Sequence, residues 1–456
     1  MTIMDRKYLL LFLIIILFPA MLLHAEEPAG YDYNMPDTIL RFPLFDAPYN
    51  TGDNYTFPSM NQSLMIAKDT AQVTHSAVWD ITGSQDRFVR ILALILWDYI
   101  FFQLPGGTAW VHEEWHRAVM GQYNISSRND VYNFDFGAEA IAVSHVNDSD
   151  LAWLKENHNP DMVRLMAAGN EAEVQMSRVF RRESFFNGRP VIYELPGMWM
   201  SLVNASWYVI YCSTKDADRD TDEFNEKDGD DVKRRDFTGL DFTAWIYDLN
   251  RPDELYSDRG THPSGTGIDR YIRYSDLTGS EKKYLRKTGY LTLLNFISPQ
   301  LLGYEGFIGT DPLTGRGMYW NFMVLHNLTS FGNDVSLNLL MQEGELNLEF
   351  ALHTYFNKEH YSPGIETGIH RYPFSIAGKK IFCNTGFILF MQPRDQDFKT
   401  GEREPGVWFS AGIDIPVIDD KLELYIDGDV KTEGWVAGNV YLGRESQGRF
   451  GVNYLY

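Results

Sequence analysis

Cysteine is almost missing: the 456 residues contain two, Cys212 and Cys383. That excludes a disulfide framework, and their wide separation favours two free thiols. Basic residues are also short, 40 Lys and Arg against 62 Asp and Glu, for a formal net charge of −22. A nucleic-acid partner is excluded on that balance, because the phosphate backbone would be repelled. Long hydrophobic runs are few. The stretches 88–104, 198–212 and 289–302 are apolar but short beside the ~20 residues of a spanning helix. There is no internal sequence repeat. What the chain has in quantity is aromatic side chains, 14% of all residues, and 37 glycines.

The beginning reads as an export signal. Arg6 and Lys7 precede an apolar run from Tyr8 to Leu23, and Leu-His-Ala ends at Ala25 before Glu26 and Glu27. Cleavage after Ala25 fits this pattern. Residues 26–87 look loop-rich. Residues 88–302 read as a mainly helical region. Its helices are expected at Phe88 to Leu104, Ala109 to Met120 capped by Thr108 and stopped by Gly121, Asp161 to Phe186, Trp199 to Cys212, and Glu281 to Leu302. The acidic stretch 213–236 interrupts it as a solvated loop. Alternating aspartates there hint at calcium, but Thr221 stands where a calcium loop of the EF-hand type needs glycine.

From 303 to 456 the texture becomes alternating. Val335, Leu337, Leu339 and Met341 alternate with more polar neighbours, as do Leu346, Leu348, Phe350 and Leu352. The same period of two returns at Val407 to Ile413, Leu422 to Ile426 and Phe450 to Tyr456. Such segments joined by short Gly, Asn and Asp turns mark an antiparallel β structure. Eight or nine strands fit between 317 and 456. The ten-residue segments and the final aromatic residue resemble bacterial outer-membrane β-barrel proteins. The fold class expected is therefore α+β: a helical part followed by an antiparallel barrel of about 8–10 strands.

The chemistry is concentrated in His112-Glu113-Glu114-Trp115-His116. Positions i and i+4 share one helix face, so His112 and His116 can present two imidazoles to one metal ion. Glu113 can then take a proton from a water made acidic by that metal, which is the requirement for peptide hydrolysis. These residues resemble the HExxH zinc metallopeptidases, the zincins. The resemblance implies zinc, His112 and His116 as ligands, Glu113 as general base, and a third protein ligand. The pattern His116-Arg117-Ala118-Val119-Met120 lacks the glycine and third histidine of metzincins.

Two carboxylates compete for the third place. Asn170-Glu171-Ala172 resembles the segment that supplies the glutamate ligand in gluzincins. Helix geometry favours Glu173, which falls with Met162, Met166, Gly169, Met176 and Phe180 on an apolar face where a carboxylate needs a partner. Glu171 falls with Arg164, Gln175 and Arg178. The small residues 167–169 would let this helix approach the motif helix closely. His145 is the fallback. Together these readings describe an exported zinc peptidase of the bacterial outer membrane or periplasm. Its substrate is a peptide or protein, and its barrel contacts the membrane. The alternative is a barrel protein whose helical part binds metal without catalysis.

Overall fold

The computed structural model describes residues 38–455 apart from 52–56, 84, 135–140, 312–313, 377 and 419–420. The export signal, its cleavage point and Tyr456 lie outside these residues. The fold is α+β. Its helices are α1 (Met60–Ile81), α2 (Arg87–Phe101), α3 (Thr108–Gly121), α4 (Asp148–Asn157), α5 (Asn159–Asn187), α6 (Val191–Cys212), α7 (Asp216–Asp228), α8 (Asp241–Asn250) and α9 (Gly279–Leu291). Strand β1 (Ile39–Ala47) precedes them, and a two-residue ladder pairs β2 (Arg128–Asn129) with β3 (Val143–Ser144).

After α9 the chain turns to β structure. Its strands are β4 (Phe307–Thr310), β5 (Gly317–Thr329), β6 (Gly332–Glu343), β7 (Leu346–Phe356), β8 (Tyr361–Ile376), β9 (Lys379–Pro393), β10 (Arg403–Ile418), β11 (Leu422–Lys431) and β12 (Glu445–Leu455). β4 to β12 form an antiparallel meander, and β1 adds to the far side of β12, giving ten strands in one sheet. The alternation read from the sequence holds in β6, β7, β10, β11 and β12.

Four expectations need correction. The sheet is not a closed barrel: among the described residues its end strands, β1 and β4, do not pair. The described part of 26–87, from residue 38 on, is not mainly loop, since it supplies β1 and the 22-residue α1. α1 starts with a capping box in which Ser59 accepts from Gln62 N and the Gln62 side chain accepts from Ser59 N.

The acidic stretch is not a loop either. Ala217, Asp220, Thr221 and Asn225 lie buried along one face of α7. Asp216 and Asp218 in its first turn and Lys227 in its last complement the helix dipole. Asp222 accepts from Arg273 at 2.7 Å and Asn225 donates to Asp269 at 3.1 Å. The expected helix 281–302 ends at Leu291 and continues as two short 3₁₀ turns, the second opening at Pro299.

The gap in the sheet is dressed. Lys68 Nζ on α1 donates to the Ile39 carbonyl of β1 at 3.1 Å. At the other edge, beyond the short β4, Val324 N donates to Ile297 O at 2.9 Å. His326 N meets Asn295 Oδ1 at 2.7 Å, and Asn295 Nδ2 meets His326 O at 3.1 Å. One β1 carbonyl and the edge groups of Val324 and His326 thus gain partners. The main apolar core is largely helical and includes Trp115, Trp245 and, from β5, Leu328, while a smaller cluster joins Val174 and Phe185 of α5 to Met323, Leu325 and Leu340 of the sheet.

Candidate metal centre

The motif lies on α3, whose residues are almost all buried. Its N-cap is Gly107 rather than Thr108, without a side-chain bond. Gly121 belongs to the helix, and a Cβ there would stand 2.3 Å from the Tyr49 hydroxyl. Close packing, not helix termination, explains that glycine.

α5 crosses α3 at Gly169. A Cβ at 169 would lie 2.2 Å from His112 Nε2, so only glycine leaves room for the His112 ring. His112 Nδ1 faces Glu173 Oε1 at 2.7 Å, and Asn204 on α6 donates to the same oxygen at 2.6 Å. His116 Nδ1 faces the Leu165 carbonyl at 2.6 Å. Both rings are therefore held through Nδ1, which turns the Nε2 atom of each toward the space between them and Asp241. This is the arrangement by which outer partners orient metal-ligating imidazoles.

The two Nε2 atoms converge on a residue that sequence reasoning did not select. Asp241 Oδ2 lies 3.4 Å from His112 Nε2 and 3.5 Å from His116 Nε2. Ligands bound at 2.0–2.1 Å to a tetrahedral ion would be about 3.4 Å apart. His116 Nε2 is otherwise a buried nitrogen with no hydrogen-bond partner. One donor atom each of His112, Glu113 and His116 also falls within 4.8 Å of the others. Two imidazoles, a carboxylate and a neighbouring glutamate suit a divalent transition metal.

Asp241 opens α8, and its backbone N donates to the Tyr208 hydroxyl at 3.0 Å. Burial works against its charge, but His116 and His112 bring it down to about 2. Glu113 goes the other way: burial, reinforced by the Asp241 and Asp236 charges, lifts it well above the usual carboxylate range against the opposing pull of His112. Glu114, on the opposite side of α3, accepts from Arg117 and Asn129 and anchors the helix.

The other expected ligands are placed elsewhere. Glu171 is buried against Arg164 Nη2 at 3.0 Å and accepts from Gly438 N at 2.8 Å. His145 is exposed, beside Ser144, with a positive φ of 63°. Glu173 stands behind His112 rather than beside the two Nε2 atoms.

No protein-family model, curated protein or solved structure matches this chain. The centre therefore rests on its own geometry. The signal that could have found Asp241 is local: it heads a helix whose next five residues, Phe242 to Ile246, are all buried. A helix apolar on every side belongs in a core, and an acid there needs a partner.

If Glu173 positions His112, Glu173→Gln should weaken metal affinity by about 10–100-fold without abolishing binding. Competition titration against a chelator reads this directly. An unchanged affinity would mean that the Nδ1 contact does not support the site.

Proposed function

We propose that this chain is a zinc-dependent peptidase of the bacterial cell envelope, exported and acting at the outer membrane or in the periplasm. The supporting observation is the convergence of two anchored imidazoles on one Asp241 oxygen, with Glu113 next to them. The resemblance of His112-Glu113-Glu114-Trp115-His116 to the zincins points the same way. In this reading His112, His116 and Asp241 hold the metal, and Glu173 and the Leu165 carbonyl orient the imidazoles.

Zinc bound there would supply Lewis acidity that polarises a carbonyl and makes water acidic near neutrality. Glu113 would take the proton of the attacking water and return it to the leaving amine. Its raised proton affinity suits a base that must hold a proton between those steps. The Tyr208 hydroxyl, tied to Asp241 N, keeps the third ligand at the head of α8.

Elemental analysis of the purified chain tests the metal. One zinc per chain is expected in the wild type, with loss in Asp241→Asn greater than in Glu173→Gln. Equal occupancy in Asp241→Asn would remove Asp241 from the ligand set.

A second reading has its own support. His112, Glu113, His116 and Asp241 are each at most 4% exposed, and closed sites are typical of structural metals. The chain would then be a membrane β-sheet protein with a metal that ties α3 to α8 and no hydrolysis.

A further inference from the structure

The sheet has its polarity reversed. In β11, Leu422, Leu424, Ile426 and Val430 point outward, while Glu423, Tyr425, Asp427 and Asp429 point inward. In β10, Val407, Phe409, Ile413 and Ile415 face out, and Trp408, Ser410, Gly412 and Asp414 face in. In β7, Leu348, Phe350 and Leu352 face out, against Glu349 and His353 inside.

The interior is a cavity of about 380 Å³ lined by charged groups. Arg178 meets Glu349 at 2.8 Å and Glu366 at 2.6 Å, Arg371 meets Glu423 at 2.8 Å, and Arg449 meets Asp427 at 2.6 Å. Burying such pairs gains little or nothing over an apolar filling. A sheet that faced water would place these two sets of residues the other way round.

The apolar exterior does not stop where the strands do. α1 stands against β1 and exposes Ile66, Val73 and Ile81. α2 packs on α1 and exposes Phe88, Val89, Leu96 and Ile100. α6 links α2 to the turns that lead back to β5, and this stretch exposes Leu293, Ile297 and Leu302. Strands and helices thus form one circuit with an apolar outside. No described helix is long and apolar enough to cross a membrane alone, so the helices serve as wall elements beside the strands.

We infer that a lipid bilayer surrounds this wall on every side, with α1, α2 and the 292–302 turns facing lipid in the gap that the strands leave. A protein partner would cover one side of such a circuit; a bilayer covers all of it. The dimensions agree. Leu422 to Val430 spans nine residues, and tilted strands need about 9–11 to cross the hydrocarbon. Exposed charge sits at the strand ends, with Lys379, Lys380 and Lys421 at one and Lys358, Glu359 and Glu402 at the other. The bonds that Ile297 and Asn295 make to the β5 edge, and the Lys68 contact with the Ile39 carbonyl, agree with a lipid setting, where water is not available to backbone groups.

The inference goes beyond the peptidase reading and does not depend on it. The test uses the full chain, both in membranes of the expressing cells and in dimyristoylphosphatidylcholine vesicles. Each is photolabelled with a carbene precursor dissolved in the bilayer, and labelled peptides are mapped by mass spectrometry. Label is expected in 348–352, 407–415 and 422–430 and, to a comparable extent, in Met60–Ile81 and Arg87–Phe101. It should be lost from Asp148–Asn157 and Asp216–Asp228. Label on the strands without α1 and α2 would overturn the composite wall. A chain left in the soluble fraction and unlabelled would overturn the bilayer itself and assign the apolar face to other copies of the protein. Neither outcome reads peptide cleavage, so failure here is separate from failure of the proposed activity.

Discussion

Replacing Glu113 by Gln should cut peptide hydrolysis by about 10²–10⁴-fold while zinc stays at one per chain. The side chain keeps its size and loses only the ability to take a proton. The proposed metal donors remain, because His112 Nε2, His116 Nε2 and Asp241 Oδ2 do not depend on Glu113 for their placement. The two readouts separate the proposals. Lost cleavage with retained metal supports hydrolysis with Glu113 as base. Wild-type protein that carries zinc yet cleaves no peptide would leave the structural-metal reading standing. Cleavage unchanged in Glu113→Gln would sink Glu113 as the base.

Glu171→Gln should have its effect on stability instead. Arg164 and Glu171 face each other at 3.0 Å, both fully buried, with Gly438 N and Trp435 Nε1 also donating to the carboxylate. Removing one charge strands the other in a low-dielectric interior, at a cost of about 3–5 kcal/mol. Equilibrium unfolding measures that loss, and zinc content measured on the folded fraction should not change. The opposite result, normal stability with lost zinc, would return Glu171 to the ligand set. Because Glu171→Gln and Glu173→Gln lie two residues apart on α5, the pair also tests which face of that helix serves the metal.

The sequence made α3 and most of the sheet legible because their signals are local. Two histidines four apart share a face in any helix. Period-two alternation marks a strand wherever it occurs, and it marks one here even though the two faces are exchanged relative to a water-soluble sheet. The apolar-face argument singled out Glu173 as a third ligand; its burial holds, but the side chain meets His112 Nδ1 instead of standing with the two Nε2 atoms.

Other parts were hidden for physical reasons. β1 contains Pro43, next to an irregularity in its pairing with β12. Proline in a strand is tolerated at such an edge but disguises it in sequence. α7 is so acidic that its single buried face, Ala217, Thr221 and Asn225, is easily missed. The helix pattern around Asp241 shows only that this acid needs a partner; its place beside residues 112 and 116 was illegible, because nothing in the sequence ties it to them. Only the packing of α8 against α5 and α6 brings it there.

The pairing of β1 with β12 also sets an order of events. Ile39 lies opposite Leu455 and Asp46 opposite Arg449, so the earliest described strand finds its neighbour only when the last has been made. Until then β1 and β11 both present open edges, and the loop to be closed spans nearly the whole described chain. Contacts of such separation slow folding and prolong exposure to aggregation. The sheet therefore cannot be completed piecemeal as the chain is synthesised. A polypeptide lacking β12 would keep the motif on α3 but leave the sheet without the strand that joins its two parts.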